Sequence, residues 1–337
     1  MHSDRRSFLK TTAAGVASAT AATFSTTGTL DAQAGGPAAF EMPRNMTLLN
    51  LRTPAGPRLG VKLPTGILDV AAAAAMHKLP APVDMDDLLQ RGLGGQLAKV
   101  VAAAADGPAR LYLKESAVQH APLVTRPEKI IMMGFNYRRH AVETNTPIPG
   151  NPTLFNKFNS ALNHHGGTIA LPTATAKHFD YEVELVMVFG RECRNVSEAD
   201  ALNYVAGYCT GNDFSARDMQ YLTSQFMIGK TFDGFAPLGP HLVTSDLVGD
   251  PNTLRLECRV NGEQRQDWNT NDMIFNCRQM ISFASRMMTI KPGDIFFTGT
   301  PHGVIFGKPK AEQVWLKPGD RVVCSVEKLG ELAFSLT

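Results

Sequence analysis

The sequence lacks the features that mark several common classes of protein. Its five cysteines are odd in number and include no C-x-x-C pair, so neither a disulfide framework nor a zinc site is indicated. With 33 basic and 31 acidic residues, the net charge of +2 offers no strong field for nucleic acid or an anionic membrane. There is no glycine-rich phosphate loop, internal repeat or low-complexity tract. Apolar residues make up 44% of the chain, which is typical of an ordinary globular protein.

The N-terminus carries a targeting pattern. Arg5 and Arg6 precede Phe-Leu-Lys, a weakly apolar run extends from residue 11 to 24, and the small-residue sequence Ala-Gln-Ala ends at Ala34. This order resembles a twin-arginine export signal. A tail or a membrane anchor is the alternative, but the run is too short and too rich in Thr and Ser to span a bilayer. Residues 1–34 are therefore expected to be a signal peptide, which predicts a periplasmic or secreted protein that is free of the membrane after processing.

The rest of the chain falls into three segments that differ in composition and hydrophobic pattern. Residues 35–45 are rich in Gly, Pro and Ala and are expected to form a linker. Residues 46–122 mix strand patterns with apolar residues three and four apart, which predicts a small α+β domain. Residues 123–337 alternate short β-branched and aromatic runs with Gly, Pro, Asn and Asp, which predicts a larger domain made mostly of strands. The expected fold class is therefore α+β, mostly β.

Local signals refine the larger domain. Asn261 and Gly262 form the pair most typical of a two-residue hairpin turn. Ser197 is a candidate N-cap for a helix over residues 198–205, and a second helix is expected over residues 273–288.

Three acidic residues stand next to apolar runs. Glu182 and Glu184 are two apart on a predicted strand, so their side chains share one face, about 6.5 to 7 Å apart. Such carboxylates must be solvated, share a proton, pair with cations or bind a metal. Asp213 follows another apolar run, where a strand ends. A solvent-facing strand edge and an ordinary turn aspartate are the alternative interpretations.

A histidine and a glutamate form another candidate pair. His140 and Glu143 are three residues apart, so on one helical turn they share a face. A carboxylate beside an imidazole raises its basicity and fixes its orientation, which suits a general base. A surface pair without function is the alternative. The adjacent His164 and His165 would point to opposite sides of a strand, so joint metal binding by them is not expected.

Five ordered motifs resemble the fumarylacetoacetate hydrolase family. They are N-Y-x-x-H from Asn136, Y-E-x-E from Tyr181, N-D-x-S-A-R-D-x-Q from Asn212, G-K-x-x-D from Gly229 and P-G-D-I-x-x-T-G-T-P from Pro292. The resemblance covers residues 125–337 closely and the smaller domain more loosely. It implies a mixed β-sandwich or β-roll core and a homodimer.

The resemblance also implies roles for individual residues. Glu182, Glu184 and Asp213 match the three metal ligands, and three acidic oxygens suit Mg²⁺ or Mn²⁺, with Ca²⁺ possible. The matched catalytic residues are His140, Glu143 and Lys230, and the matched substrate-binding residues are Tyr137, Arg217, Gln220, Lys230 and Thr300. His302 stands where relatives commonly have a small residue or lysine, and we expect it to be peripheral.

The implied reaction is metal-dependent hydrolysis of a carbon–carbon bond in a small diketo acid such as an acylpyruvate. His140 would activate water, and Lys230 would stabilise the charge that develops on the departing enolate. Decarboxylation, isomerisation or a lyase reaction on a 2-oxo acid remains open, because these reactions use the same pocket. A periplasmic protein that binds oxo acids without catalysis is a further alternative. The sequence does not identify the oxo acid.

Overall fold

Two large β-sheets organise residues 40–337, which are the residues that this computed structural model describes. The strands are β1 Thr47–Thr53, β2 Gly56–Leu63, β3 Gly66–Asp69, β4 Tyr112–Leu113, β5 Ile130–Gly134, β6 Thr153–Lys157, β7 Leu162–His164, β8 Gly167–Ile169, β9 Phe179–Asp180, β10 Val183–Phe189, β11 Val205–Asn212, β12 Ser215–Ala216, β13 Ala236–Thr244, β14 Arg255–Val260, β15 Glu263–Asn269, β16 Ile295–Phe297, β17 Arg321–Val326 and β18 Gly330–Leu336. The α-helices are α1 Val70–His77, α2 Met85–Gln90, α3 Gly94–Ala104, α4 Arg138–Glu143, α5 Arg217–Gln220, α6 Met227–Lys230, α7 Ser245–Val248 and α8 Cys277–Met287. Short 3-10 turns lie at Ala109–Leu111, Glu115–Ala117, Asn159–Ala161, Ala201–Tyr204, Pro251–Thr253, Thr270–Asp272 and Lys310–Glu312.

The larger sheet has eleven strands in the order β4-β3-β2-β1-β13-β11-β10-β16-β5-β6, with β7 paired to β13 outside this path. Its pairs are antiparallel except β16 with β5 and β13 with β7. Strands β10 and β11 are buried along their whole length, because their apolar residues face hydrophobic clusters on both sides of the sheet. The chemistry described below lies at the end of these two central strands.

The smaller sheet has five strands in the order β15-β14-β17-β18-β8. The predicted hairpin turn is confirmed between β14 and β15: Asn261 has φ 52° and Gly262 has φ 85°, the backbone that a tight two-residue turn requires. A separate pair joins β9 and β12. The predicted class, α+β and mostly β, is confirmed.

Strands β1 to β4 come from the predicted small domain, residues 46–122, yet they extend the sheet that the larger region forms. The link is the antiparallel pairing of Thr47 and Leu48 on β1 with Val243 and Leu242 on β13. The two segments therefore share one sheet, and their assignment as separate domains stays a prediction.

One predicted helix is wrong and another is shorter than expected. Residues 198–205 form a turn and a 3-10 segment that lead directly into β11. The Ser197 hydroxyl does accept the Asp200 backbone N–H at 3.2 Å, but pairing of β11 within the sheet prevails over helix propensity. The second helix, α8, begins only at Cys277, and its N-terminus is closed by a capping box between Asn276 and Gln279.

Among the described residues, no helix combines the length and the apolar character needed to cross a bilayer. The predicted signal peptide, residues 1–34, lies outside the described residues, as do residues 35–39 of the predicted linker. All five cysteines are buried and free.

Candidate active site

Pairing of β10 with β11 brings three carboxylates together. Glu182 directly precedes β10, Glu184 lies in that strand, and Asp213 directly follows β11. The Asp213 backbone N–H donates to the Glu182 carbonyl oxygen at 2.9 Å, which continues the antiparallel ladder. One carboxylate oxygen from each residue lies within 4.8 Å of the others, and all three side chains are buried. Strand register thus brings Asp213 to Glu182 and Glu184, which lie 31 and 29 positions earlier in the sequence.

Two predicted site cations bind these carboxylates. Lys230 Nζ donates to Glu182 Oε2 at 2.7 Å and to Asp213 Oδ2 at 2.8 Å. Arg217 Nη2 lies 2.6 Å from Glu182 Oε1. Burial alone would raise the pKa of Glu182, but Arg217 and Lys230 lower this pKa to about 2. Glu182 is therefore ionised at neutral pH.

A third buried cation was not predicted. Lys157, at the end of edge strand β6, places Nζ 2.6 Å from Asp213 Oδ1 and also donates to the carbonyls of Phe214 and Phe235. Burial lowers the pKa of Lys157 despite the neighbouring carboxylates. The only sequence signal was a lysine next to the apolar residues of β6. Local pattern does not reveal that this edge strand reaches Asp213.

Glu184 differs from its neighbours because no Lys or Arg among the described residues pairs with it. Its Oε2 accepts the Gly299 backbone N–H at 2.7 Å. Gly299 has φ +94°, a backbone conformation that favours glycine. Burial raises the pKa of Glu184 well above its usual value, and the charges of Asp213 and Glu182 raise it further.

The charges at the site fit a divalent cation. The buried acids are Asp180, Glu182, Glu184 and Asp213, and the buried cations paired with them are Lys157, Arg217 and Lys230. Glu184 is the acid without a cationic partner, and burial raises its pKa, so a bound divalent cation would favour its ionised form. Three carboxylate oxygen donors suit a hard ion such as Mg²⁺, Mn²⁺ or Ca²⁺.

Asp180 orients the cationic side of the site. Its Oδ2 accepts Arg217 Nε at 2.9 Å, and its two oxygens accept the backbone N–H groups of Ile305 and Phe306 at 2.9 and 3.0 Å. Arg217 Nη1 donates to Gln220 Oε1 at 3.0 Å. The fully buried Asp180 thereby links α5 to the turn after β16. Its role was not predicted, although it begins the Asp-Tyr-Glu stretch.

The predicted histidine–glutamate pair is formed on α4. His140 Nδ1 lies 3.1 Å from Glu143 Oε2, and the His140 side chain is buried. Glu143 Oε1 accepts the Gly303 backbone N–H at 2.8 Å, which fixes the carboxylate. Gly303 has φ +101°, and a Cβ there would lie 2.3 Å from the Arg265 carbonyl oxygen, so only glycine fits this turn.

One narrow cavity, of about 20 Å³, is lined both by His140 of this pair and by the three carboxylates. Its wall also carries the predicted residues Arg217, Gln220, Lys230 and Thr300. Opposite the carboxylates, Phe226 packs edge-on against Phe135, Phe155 and Tyr221, with ring centroids 5.7 to 5.8 Å apart. A site with one polar and one aromatic wall can bind a small planar anion.

A wider surface cavity, of about 710 Å³, lies elsewhere and is lined by Arg126, Glu128 and Lys291 among others. Glu128 there pairs with Lys291 at 2.6 Å, and none of the three converging carboxylates reaches it. This cavity is larger than the one at the carboxylates, but its charged lining is typical of a solvated surface and not of a catalytic site.

Two predicted binding residues have other contacts. Thr300 lines the cavity, but its hydroxyl donates to the Val183 carbonyl at 2.9 Å and accepts Gln266 Nε2 at 2.9 Å. Tyr137 is fully buried in the core and does not line the cavity. Its predicted contact with substrate finds no support in this position. His164 Nε2 pairs with Arg52 at 2.8 Å, away from the site.

Comparison with known proteins agrees with this geometry. Residues 129–337 match the family model described as fumarylacetoacetate (FAA) hydrolase C-terminal. The chain is 41% identical over 298 residues to the mitochondrial oxaloacetate tautomerase FAHD2A of Bos taurus, covering 86% of this chain and 91% of the relative. It is 40% identical over 282 residues to the mitochondrial oxaloacetate tautomerase fahd2 of Xenopus laevis, covering 82% and 85%.

Solved structures show the same fold with different named activities. A maleylpyruvate hydrolase from Sphingobium sp. SYK-6, in complex with manganese(II) and pyruvate, is 30% identical with a TM-score of 0.70, covering 87% of this chain and 99% of that chain. A 5-carboxymethyl-2-hydroxymuconate delta-isomerase from Mycobacterium smegmatis is 28% identical with a TM-score of 0.66, at the same coverage. Hydrolases, isomerases and tautomerases are thus all similar to this chain.

The predicted periplasmic or secreted location is wrong. The tautomerases similar to this chain are named as mitochondrial, which disagrees with a periplasmic or secreted location. The location was predicted from the pattern around Arg5 and Arg6, and a basic N-terminus rich in Ser and Thr is also typical of organelle transit peptides. The twin-arginine signal itself stays a prediction about residues that the structure does not describe.

Proposed function

The chain belongs to the fumarylacetoacetate hydrolase family, and from this premise we propose that it is a divalent-metal-dependent enzyme that interconverts the keto and enol forms of a small 2-oxo acid. Oxaloacetate is the first candidate substrate, because two relatives at 40% and 41% identity are named for that reaction. The observation that carries the proposal is His140, which lines the cavity that also holds the three carboxylates and lies 3.1 Å from Glu143 Oε2 behind it.

Glu182, Glu184 and Asp213 would hold the ion, either Mg²⁺ or Mn²⁺. When bound, a divalent cation polarises an adjacent carbonyl and acidifies the neighbouring C–H group. His140 takes the proton from that carbon, the C–H electron pair becomes the C=C bond of the enolate, and the proton is then delivered to oxygen. Glu143 keeps the imidazole oriented and stabilises its charged form. Lys230 stabilises the negative charge that develops on the oxo oxygen.

Hydrolysis of a carbon–carbon bond in an acylpyruvate is the second candidate. The same His140 would then take its proton from water, and the hydroxide would attack the carbonyl farther from the metal ligands. The specific observation in its favour is the likeness to the maleylpyruvate hydrolase bound to manganese and pyruvate. Tautomerisation moves one proton within the substrate and needs no attacking water, so it makes the smaller demand on the residues of the site.

The deciding experiment follows both reactions in parallel. Oxaloacetate is tested by loss of its enol absorbance, and acetylpyruvate by release of pyruvate, each with Mg²⁺, with Mn²⁺ and after chelation. We expect metal-dependent ketonisation of oxaloacetate. Pyruvate release without ketonisation would select hydrolysis, loss of carbon dioxide would select decarboxylation, and binding without any product would favour an oxo-acid-binding protein.

We also propose that the protein is a homodimer, since the family resemblance implies one. Sedimentation of the purified protein at several concentrations tests this, and a mass that stays that of one 36.5 kDa chain would contradict it.

A further inference from the structure

Helix α4 carries the predicted catalytic pair but is too short to be stable alone. It has six residues, and no side chain caps its N-terminus. Its position therefore depends on contacts with distant parts of the chain. Arg138 Nη1 donates to the carbonyls of Asp272 and Met273 at 3.2 and 2.7 Å, and the Arg139 backbone N–H donates to Asp272 Oδ2 at 3.1 Å.

A stack of three side chains adds to these contacts. The Arg139 guanidinium carbon lies 3.8 Å from the centroid of the Trp268 ring, and the edge of that ring system meets His302 at 4.8 Å between centroids and 82° between planes. Trp268 Nε1 and His302 Nδ1 are buried and have no hydrogen-bond partner among the described residues. These rings are therefore positioned by packing rather than by hydrogen bonds at these atoms.

The three packed side chains and the hydrogen bond that holds Glu143 meet at the same turn. His302 directly precedes Gly303, whose N–H holds Glu143. Trp268 lies near the end of β15 and Arg139 on α4. Arg139 contacts Trp268, and Trp268 contacts His302, so these side chains connect α4 to the same turn.

Substrate entry requires part of the cavity wall to move. A cavity of about 20 Å³ is far smaller than the roughly 300 Å³ at which ligand pockets usually begin. On α4, His140 is 5% exposed whereas Val142 is 78% exposed, so this short helix separates the cavity from solvent. Helices α5 and α6 also line the cavity outside the strand ladders, but their Arg217 and Lys230 are tied to the buried acids by ion pairs, whereas α4 is not.

We propose that Trp268, backed by His302, is a latch for α4 that binds Arg139 when the helix is closed and releases it when a ligand enters or leaves. The proposal rests on the proposed function, because it assumes that α4 covers a catalytic cavity. Trp268, His302 and Arg139 are positioning residues, since they act through α4 and do not line the cavity.

The chain supplies its own reporter for this motion. It has two tryptophans, and W315F leaves Trp268 alone. Trp315 stacks on His178 at 4.6 Å and does not line the cavity, which makes W315F a suitable background. Oxalate with Mg²⁺ serves as the probe, because it resembles the planar enolate of a 2-oxo acid. We expect Mg²⁺ alone to leave Trp268 emission unchanged and oxalate to shift it, with the shift abolished by R139Q.

Kinetics provide the second measurement. W268L and R139Q should each raise KM about threefold to tenfold, with kcat changed less than about twofold, because a contact of cation–π strength is lost from the closed state. The KM of the double variant should not exceed the higher KM of the two single variants, since both changes remove the same contact. Mn²⁺ affinity should stay unchanged in all three, because the carboxylates lie on the sheet. Additive effects, or an unchanged KM in every variant, would overturn the latch.

The two proposals fail in different ways. Absence of turnover in both the unaltered protein and W315F contradicts the proposed function. The latch is then still tested by hydrogen exchange of the amides of residues 138–143, which should be faster in W268L than in W315F. Equal exchange in the two variants, or an oxalate response that survives R139Q, contradicts the latch while leaving turnover intact.

Discussion

The carboxylate cluster and helix α4 face the same cavity but are held in place by different means. Glu182, Glu184 and Asp213 are fixed by the backbone ladder of two fully buried strands at the centre of the larger sheet. His140 and Glu143 are on six residues that are held by long-range side-chain contacts. Shifting the carboxylates would require breaking sheet pairing, whereas moving α4 requires only loss of a few surface contacts.

This difference separates the two tasks of the site. A site for a hard cation needs ligands at fixed distances, which the register of β10 and β11 provides. Proton transfer needs a base that approaches substrate only after entry, and a docked helix allows that. We therefore expect changes on the sheet to affect ion binding and turnover together, and changes on α4 to affect kcat or KM without affecting ion binding.

The largest expected effect tests the sheet side. E184Q removes the ligand without a cationic partner, and we expect loss of Mn²⁺ binding with a fall in kcat/KM of roughly 10³-fold or more. Titration of Mn²⁺ by its electron paramagnetic resonance signal measures binding. E263Q on the exposed edge strand β15 is the matched control. Normal Mn²⁺ stoichiometry in E184Q would remove Glu184 from the ion site.

The second prediction concerns the helix side. H140Q keeps the size of the side chain but removes the base, so turnover should fall about 10²-fold while Mn²⁺ affinity stays unchanged. Steady-state rates and the same Mn²⁺ titration give the comparison with E184Q. If H140Q also lost Mn²⁺ binding, ion binding by the sheet would depend on α4, and the two regions would not have separate tasks.

The sequence predicted residues that lie on one strand or turn better than residues that meet through long-range pairing. Glu182 and Glu184 were found because strand periodicity places them on one face, and Asp213 because it follows an apolar run. Their convergence came from the family resemblance, since spacing alone does not determine which strands pair. The hairpin at Asn261 and Gly262 was predicted correctly because its signal is local.

The missed features depend on long-range contacts. Lys157 reaches Asp213 across 56 residues of sequence, from an edge strand with no motif of its own. The helix expected over residues 198–205 failed because β11 pairs with β10 from Val205 onward. Tyr137 was grouped with the substrate residues by its motif, yet its side chain points into the core.

Lys157 provides the third test. K157M should remove the cation from Asp213 Oδ1 while keeping an apolar stem of similar length. Breaking a buried ion pair from one side costs about 3 to 5 kcal/mol of unfolding free energy. We expect a lower urea midpoint, because Asp213 loses one of its two lysine partners. K99M on the exposed face of α3 is the control. An unchanged midpoint would show that Lys157 is dispensable for holding Asp213.

The smallest expected effect is a pH dependence of stability that arises from histidines at the sheet. His241 on β13 lies near His120, with ring centroids 6.2 Å apart, and His120 meets His165 at 4.9 Å. Burial lowers the pKa of both His120 and His241 to about 4, with His165 adding to the first shift and Lys62 to the second. In the folded protein these imidazoles therefore stay neutral below the pH at which the unfolded chain binds protons.

The sign follows from that difference. A histidine with a lowered folded-state pKa contributes stability above its ordinary pKa of 6.5, and that stability is lost as pH falls toward about 4, because the unfolded chain binds protons first. Between about pH 7 and pH 5 the unfolding free energy should fall by about 1 to 3 kcal/mol. Urea unfolding at both pH values measures this, and H241Q should remove part of the change. If H140Q reduced the pH dependence as much as H241Q does, the imidazoles of the sheet would not be its source, and the contrast between sheet and helix would fail at this point.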